Sequence, residues 1–478
     1  MANSRLVWIL FTAITILLGI FFLRYPPIYY GGDLAEYYGT TESFLNHGTP
    51  QLTNQDRINL EKVVNPVNFI DPLYYIKGTD GNRYPVHFIF YSLLSLPVRI
   101  VLKLFQLPEI NSLRMTNFII LEATLYIVLK RFIKSPFRQL LFLTTIYLSP
   151  LISFIIWPGP DLYYLCLLLI GVFCFYERKY FLASLLVVLA SWHSQPLVIL
   201  ASTSIAYYVF HKGIIPSPKT VAISLLLIFL MLVPYAYNYI LFGNLTPWVI
   251  FQDGWTKEYG FGLQNVSIKK LFEQFFDLNM GLFWYAPVLL FTGIYFLKND
   301  MLVNKKSILL IIILFLNTFF YQTNPAWHYG TSGFGPTRHI LYFLPFLIFF
   351  FVTCLKPTKN HLIVLCLFII SQLYVLSFNG FITPDFIKVL YHSPYAEYVL
   401  NNYPNIYNPT PEIFVDRTNH NDLKYLTSAI YKYNGICKKA FILKKDKQVL
   451  INECGFIPQD YYEKIERADN YGGAYVDY

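Results

Sequence analysis

The chain has 478 residues, of which 55% are hydrophobic and only 14% are charged, and its net charge is +9. A soluble domain carries about 25% charged residues, so this chain has too few to cover a water-facing surface of its size. The composition therefore excludes an ordinary soluble enzyme, a disordered protein and a disulfide-stapled miniprotein, and it indicates a protein with several membrane spans.

Uncharged runs of about 20 residues, which are long enough to cross a bilayer, recur along most of the chain. The first run, 6–23, is followed by Arg24, Tyr25 and two prolines instead of a small-residue cleavage site, which predicts a retained span. Farther along, the polar stretch around His193 divides one long run into two. The predicted eleven crossings begin at residues 6, 113, 139, 162, 180, 196, 220, 281, 307, 340 and 362.

The short connections that are rich in Lys and Arg all fall on one side of this arrangement, and the positive-inside rule assigns that side to the cytoplasm. We therefore expect an inner- or plasma-membrane protein with a cytoplasmic N-terminus and an external, periplasmic C-terminus. The apolar run 88–105 contains Arg99 and Lys103. Counting it as a crossing would reverse the pattern, so it is predicted to be a juxtamembrane or re-entrant helix on the outer face. No basic, aromatic-interleaved motif indicates a nucleic-acid partner.

These crossings define a predicted transmembrane domain, 1–381, and an external C-terminal region, 382–478. Within the first domain, two larger loops face outward, 24–112 and 243–280. In the C-terminal region, Cys437 and Cys454 stand at equal distances from a predicted turn, so a hairpin would bring them together. A disulfide is allowed on the oxidising side of the membrane, and two unpaired thiols are the alternative.

Each end of the first external loop carries candidate site residues. In GGDLAEYY, Asp33 and Glu36 would share one face of a short helix, and a carboxylate that loses hydration at a lipid boundary is a better general base. A helix capping box is the alternative, and local sequence favours it. At the far end, Arg83, Tyr84 and His87 could contact an anionic head group or anchor the chain at the interface.

The short external turns carry few charged or titratable residues. Asp161 is the one charge in WPGPDLYY, where it could serve a ligand or cap the following helix. His193 in SWHSQP could face an external cavity, although a structural histidine is the simpler interpretation. Glu122 lies within a predicted span, where an inter-helix hydrogen bond is the preferred interpretation.

The last external turn, PAWHYGTSGFGPTRHILYFLP, concentrates His328, glycines, Arg338 and His339 before a span. Glycines let a backbone approach a ligand closely, and arginine suits bidentate phosphate binding; an interface-anchored arginine is the alternative. The second external loop could be a lid or a plain interfacial loop. Its charged candidates are Asp253, Lys257, Glu258 and Asp277.

The order of these motifs resembles the GT-C superfamily of polytopic glycosyltransferases, in the branch of protein O-mannosyltransferases, lipid A aminoarabinose transferases and Rgt-like bacterial enzymes. GGDLAEYY is similar to the family's acidic start, and RYPVHFIFYSLLSLP to its juxtamembrane segment. FFDLNMGLFWYAPVLL, GTSGFGPTRHILYFLPFL and YNPTPEIFVDRT resemble later family segments. Leu34 replaces an acid that often follows the first Asp, and Thr337 interrupts the usual GPR, so metal use and the phosphate contact stay open.

The resemblance implies a helical bundle of about eleven spans, with external juxtamembrane helices and a small α/β tail. It implies inverting transfer of a sugar from a polyprenyl-phosphate donor to a hydroxyl of an envelope lipid, glycan or protein. Asp33 would be the base and Arg338 the phosphate contact, supported by Arg83 or His328. Asp161 would orient the acceptor or share a divalent cation, Mg or Mn, with Asp33. A lipid-linked sugar flippase and a polysaccharide ligase or polymerase are the alternatives.

Overall fold

The computed structural model describes residues 4–25, 33–63, 75–211, 216–246, 262–298, 305–324, 327–329, 335–380, 385–421, 427–467 and 473–478. Within these ranges the chain is predominantly helical, with two small antiparallel sheets. The prediction of a mainly helical protein with an α/β tail is therefore confirmed.

Helices account for most of the bundle and for part of the C-terminal region. Up to residue 242 they are α1 (Ser4–Arg24), α2 (Asp33–His47), α3 (Asn54–Glu61), α4 (Phe90–Leu104), α5 (Ser112–Arg131), α6 (Pro136–Leu148), α7 (Asp161–Tyr176), α8 (Tyr180–Ser191), α9 (Leu197–Phe210), α10 (Pro218–Met231) and α11 (Val233–Phe242). The later helices are α12 (Ile268–Phe276), α13 (Leu282–Tyr285), α14 (Pro287–Lys298), α15 (Lys305–Tyr321), α16 (Leu344–Cys354), α17 (Lys359–Phe378), α18 (Pro394–Asn402), α19 (Pro411–Asn419), α20 (Lys447–Cys454) and α21 (Gln459–Arg467).

The strands form two separate sheets. One is a hairpin of β1 (Tyr75–Lys77) and β2 (Arg83–Pro85) in the first loop, with Ile76 opposite Tyr84. The other has the order β3 (Ala429–Tyr433), β4 (Ile436–Leu443), β5 (Gly473–Asp477) and lies in the C-terminal region.

Three helical segments among the described residues are long and apolar enough to cross a membrane: Ser4–Arg24, Glu109–Arg131 and Lys359–Ser377. The pair α10 and α11, bent by 43°, would be a fourth. Other apolar helices are shorter. The twelve residues of α8 rise about 18 Å at 1.5 Å per residue, less than the hydrocarbon thickness of about 30 Å.

The structure thus gives three or four span candidates by helix length and composition, and not the predicted eleven. Hydropathy counts apolar residues but does not register helix breaks. One such break is the 3₁₀ segment Pro150–Ile155, which follows α6 inside the crossing predicted to begin at residue 139. The break between α8 and α9 at the polar turn around His193 agrees with the predicted division of that run.

The shorter apolar helices build the centre of the bundle. α7 packs against α5, α8 and α16, and nearly every side chain of α7 and α16 is buried. By contrast, α1 and α17 are largely exposed, although they are apolar. A helix that is apolar on its exposed face is typical of contact with lipid.

The predicted outer-face run 88–105 forms the amphipathic helix α4. Its buried side carries Arg99, which forms ion pairs with Glu42 and Glu109. On the other side, Leu104 is 74% exposed. Arg99 therefore ties α4 to neighbouring elements of the first loop, while the exposed apolar side suits a membrane surface.

In the C-terminal region, Cys437 and Cys454 form a disulfide with an Sγ–Sγ distance of 2.02 Å. The prediction that a hairpin brings the two cysteines together is wrong. Cys437 lies on β4, which pairs with β3 and β5, whereas Cys454 ends the helix α20. The bridge therefore fastens a helix to the central strand of the sheet.

Candidate active site

A cavity of about 340 Å³ lies where the starts of α2 and α7, the α8–α9 turn and the segment before α16 meet. Six residues singled out in the sequence line it: Asp33, His87, Asp161, His193, Arg338 and His339. They come from distant parts of the chain, and the fold brings them to one place.

Asp33 is the first residue of α2 and lies partly exposed at the cavity wall. The positive end of the helix dipole favours a negative charge at this position. The charge of Asp33 acts on His87, Asp161 and Arg338. The carboxylate therefore has a charged setting and access to the open volume, as a general base requires.

Glu36 is fully buried one turn farther along α2 and holds His87. Its Oε1 accepts a hydrogen bond from the His87 backbone N–H, and its Oε2 lies 2.7 Å from His87 Nδ1. Both carboxylate oxygens of Glu36 therefore contact His87, and neither takes part in a helix capping box. Burial is the largest single influence on the pKa of His87 and lowers it, but the charge of Glu36, its hydrogen bond and the charge of Asp33 together raise the pKa to about 9. His87 consequently contributes a positive charge at neutral pH.

Asp161 is the first residue of α7, and Pro160 occupies the N-cap position without a side-chain cap bond. The interpretation of Asp161 as a helix cap is therefore wrong. Its side chain is buried, with 3% exposure, and it accepts a hydrogen bond from the Tyr164 hydroxyl. A buried carboxylate needs such compensation, and the nearby charge of Arg338 adds to it.

Arg338 also lines the cavity and lies in the segment that precedes α16. Its Nε–H donates to His339 Nε2 over 3.2 Å, and the ring of His339 stacks on Tyr321. Burial and the adjacent guanidinium lower the pKa of His339 well below its usual range. His339 is therefore a neutral acceptor that fixes the direction of the Arg338 side chain.

His193 lines the wall as a neutral histidine. The backbone N–H of Tyr91 donates to its Nε2 over 3.0 Å, which requires that nitrogen to be unprotonated. Burial and the charge of His87 lower the pKa of His193 to about 3. These contacts support the interpretation of His193 as a structural histidine. It lines the cavity without carrying a charge.

Three predicted substrate-binding residues lie away from the cavity. Arg83 is exposed on β2, and its carbonyl accepts a bond from the Leu52 N–H. Tyr84 donates its hydroxyl to Asp80. His328 is buried under α19, where it is held by the side chain of Arg417. The sequence indicated suitable residue types but not these tertiary partners, and the structure does not bring Arg83 or His328 to the cavity. Phosphate support by either residue stays a prediction.

Other polar candidates also have structural partners. Glu122 accepts hydrogen bonds from Thr15 and Tyr147, which ties α5 to α1 and α6 and confirms the inter-helix interpretation. Asp277 is buried and accepts from the Tyr407 hydroxyl over 2.6 Å. The remaining second-loop candidates, Asp253, Lys257 and Glu258, lie outside the described residues.

Sequence reasoning missed several lining residues. Tyr164 stands three positions after Asp161, a spacing that places both on one helix face, so it could have been found. Tyr37 on α2, four positions after Asp33, has the same helical spacing and could also have been found. Tyr321, the last residue of α15, and Asn324, three residues later, had no such signal. They reach the cavity because of how the helices pack.

No group of three or more His, Cys, Asp or Glu side chains with metal-binding geometry occurs within the described ranges. Asp33 and Asp161 face the same volume as two carboxylates. Mg²⁺ is often held by one or two carboxylates, with substrate phosphate and water completing six oxygens. A divalent cation shared by these two residues would depend on such outside ligands.

Comparisons of the chain with known protein families, with curated proteins and with solved structures return no match. The resemblance to GT-C enzymes therefore stays a prediction that rests on motif order.

Proposed function

We propose that this protein is an integral-membrane glycosyltransferase that moves a sugar from a polyprenyl-phosphate donor to a hydroxyl group of the cell envelope. The observation that carries the proposal is the cavity, in which Asp33 and Asp161 share one volume with Arg338 and a charged His87. Its size falls in the ordinary range of ligand sites, about 300–1,000 Å³.

The proposed step needs a base and a cation but no general acid. The acceptor hydroxyl oxygen attacks the anomeric carbon of the donor, and its proton passes to the Asp33 carboxylate. The bond between the anomeric carbon and the phosphate oxygen breaks, and its electron pair stays on the lipid phosphate. Arg338 stabilises that phosphate. Attack opposite the leaving group inverts the anomeric configuration.

The other predicted catalytic carboxylates take supporting roles. Asp161 orients the acceptor, or shares a divalent cation with Asp33. Glu36 acts through His87, because both of its oxygens are used there, so it is a positioning residue. The charge of His87 adds to that of Arg338 around the leaving phosphate.

The membrane arrangement belongs to the same proposal. The shorter apolar helices pack inside the bundle, the N-terminus lies in the cytoplasm and the C-terminus lies outside. The exposed apolar faces of α1 and α17 support a lipid-facing perimeter. A C-terminal tag in intact cells should react with a membrane-impermeant reagent. A tag protected until the cells are lysed would contradict this orientation.

A polysaccharide ligase or polymerase is the second candidate, and the Arg338–His339 contact in the late turn favours it. A flippase is less well supported, because Glu122, an acid within the predicted spans, is already bonded to Thr15 and Tyr147. An Asp33→Asn substitution separates the classes, since it should abolish base-dependent transfer and leave a flippase largely intact.

The test uses the purified protein in lipid nanodiscs with a panel of polyprenyl-phosphate sugars and cell-envelope extract. We expect consumption of one class of donor and formation of a glycosylated envelope product. Folded protein that consumes none of the donors would contradict the proposal. Product that forms equally well with the Asp33→Asn variant would remove Asp33 from the mechanism.

A further inference from the structure

The helix α19 in the C-terminal region is held on one side by the second external loop. Glu412 Oε1 accepts a hydrogen bond from Lys270 Nζ on α12 over 2.6 Å. The backbone N–H of Thr410 donates to Glu273 Oε1, also on α12, over 2.8 Å. These buried contacts fix the start of α19 on the outer end of the bundle.

The other side of α19 forms hydrogen bonds with the segment 327–329, which belongs to the last external turn. Asp416 accepts a hydrogen bond from the Tyr329 hydroxyl. Arg417 donates to His328 twice, to Nδ1 over 3.1 Å and to the carbonyl oxygen over 3.2 Å. Asp416, Arg417 and His328 are all buried, so these bonds are shielded from water and correspondingly strong.

The protonation state of His328 agrees with this arrangement. Arginine has no acceptor atom, so His328 Nδ1 must accept the bond from Arg417 and the ring must be neutral. Burial and the charges of Arg417 and Lys270 lower the pKa of His328 well below its usual range. Its Nε2 lies 3.5 Å from the Asp416 carboxylate, which orients the ring.

Tyr329 connects these hydrogen bonds of α19 to the cavity. The backbone N–H of Arg338 points to the carbonyl oxygen of Tyr329 over 3.5 Å. The residue whose hydroxyl binds α19 therefore bonds, through its backbone, to the residue that supplies the cavity's guanidinium. The Tyr475 hydroxyl from β5 also donates to Asp416, so the C-terminal sheet braces the same carboxylate.

We propose that Asp416 and Arg417 are positioning residues, which hold Arg338 at the phosphate end of the cavity through Tyr329 and His328. This inference rests on the proposed function, because it assigns Arg338 to the lipid phosphate. It gives the C-terminal region a part in building the site, in addition to covering the outer face.

The inference predicts that loss of one remote hydroxyl weakens phosphate binding. Tyr329→Phe removes the bond to Asp416 and leaves the ring in place. Asp416→Asn removes the charge of the same bond. Displacement of a binding group by about 1 Å can cost up to about 100-fold, and we expect roughly tenfold weaker binding here. Because both substitutions weaken the same bond, their effects in the double variant should add up to less than the sum of the single effects.

The experiment measures two quantities on the full-length protein in nanodiscs. The first is the dissociation constant of a short-chain polyprenyl phosphate, and the second is amide hydrogen exchange of the peptide that contains Arg338. Tyr478→Phe is the matched control, because it removes a tyrosine hydroxyl bond to Phe456 within the same region. We expect weaker binding and faster exchange in Tyr329→Phe and Asp416→Asn, and wild-type values in the control.

The outcomes separate this inference from the proposed function. If the wild type binds polyprenyl phosphate and Arg338→Ala weakens binding, but Tyr329→Phe changes neither binding nor exchange, the positioning role is wrong and the function stands. If the variants lose only thermal stability, the role is merely structural and the inference is also wrong. If the wild type binds no polyprenyl phosphate, the proposed function fails, and exchange at Arg338 still decides whether α19 positions it.

Discussion

The cavity and the junction beneath α19 (Lys270, Glu412, Asp416, Arg417 and His328) both gather charged groups, yet they pair those charges differently. In the junction, Lys270 lies 2.6 Å from Glu412, and Asp416 accepts from tyrosine hydroxyls. In the cavity, the charges of Asp33, Asp161 and Arg338 act on one another around an open volume.

This difference indicates what each set of charges does. A buried charge with a direct partner serves the fold, and removing that partner costs about 3–5 kcal/mol of stability. Charges gathered around open volume are arranged for a ligand, since perturbed titratable groups in a cleft are typical of functional sites. Substitutions in the cavity should therefore reduce transfer more than stability.

The largest effect is expected at Asp33. Asp33→Asn removes the proposed proton acceptor while keeping the size of the side chain, and a lost general base reduces a rate by about 10²–10⁴-fold. The measurement is initial rate of transfer at saturating donor, with thermal unfolding as a check on folding. Glu61→Gln is the matched control, because Glu61 pairs with Arg57 on α3, outside the cavity. Equal losses of transfer rate in both variants would contradict the distinction between charges in the cavity and charges outside it.

The next effect is expected at Arg338. Arg338→Ala removes the positive charge that we propose for the leaving phosphate, and loss of such a group costs about 10²–10³-fold in turnover. Arg83→Ala tests an arginine that the structure places outside the cavity, and it should leave turnover near the wild-type value. A larger loss of turnover at Arg83 than at Arg338 would favour the sequence-based assignment of Arg83 to the phosphate. It would contradict the assignment of the cavity as the site of transfer.

A smaller effect is expected at Gly159, which lies against the Asp161 carboxylate. A Cβ atom at this position would come within 2.5 Å of Trp157 Nε1 and 3.2 Å of Asp161 Oδ2. Gly159→Ala should therefore displace Asp161 and cost about 1–3 kcal/mol of unfolding free energy, with a matching fall in transfer. In the control Gly171→Ala, the nearest atom lies at 3.8 Å. If the two variants have equal stability and activity, Asp161 is not held as described.

The last effect concerns stability and not transfer, and it is the pH dependence conferred by His87. Its pKa is raised from 6.5 to about 9 in the folded protein, so its contribution to stability is complete below pH 6.5 and is lost as the pH rises through about 9. A shift of this size corresponds to about 3 kcal/mol. His87→Gln should lower the melting temperature below pH 6.5 and converge with the wild type above pH 9. Glu36→Gln should flatten the same profile, and a parallel decline in all three proteins would contradict the pairing.

The sequence predicted much of the candidate site because charge is scarce in this chain. Asp33, Asp161 and Arg338 stood out as outward-facing charges near apolar runs, and all three line the cavity. The disulfide could also be anticipated, although the element carrying Cys454 could not. A rare residue type in a biased composition is therefore a usable signal for a site.

The sequence could not predict which partner each polar group finds. The role of Glu36 depends on His87, fifty-one positions away, and the burial of His328 depends on Arg417. The span count depends on where helices break, which local geometry decides and mean hydropathy does not record. Tertiary pairing and helix breaks thus account for the errors.

The most direct test of the central claim is photo-crosslinking with a polyprenyl phosphate that carries a photoreactive group next to the phosphate. The protein in nanodiscs is irradiated, and the labelled peptides are identified by mass spectrometry. We predict labelling of peptides that contain Asp161, His193 or Arg338, and its loss when excess unlabelled polyprenyl phosphate is present. Competed labelling confined to the region after 385, or to helices distant from the cavity, would contradict the assignment of this cavity as the donor site.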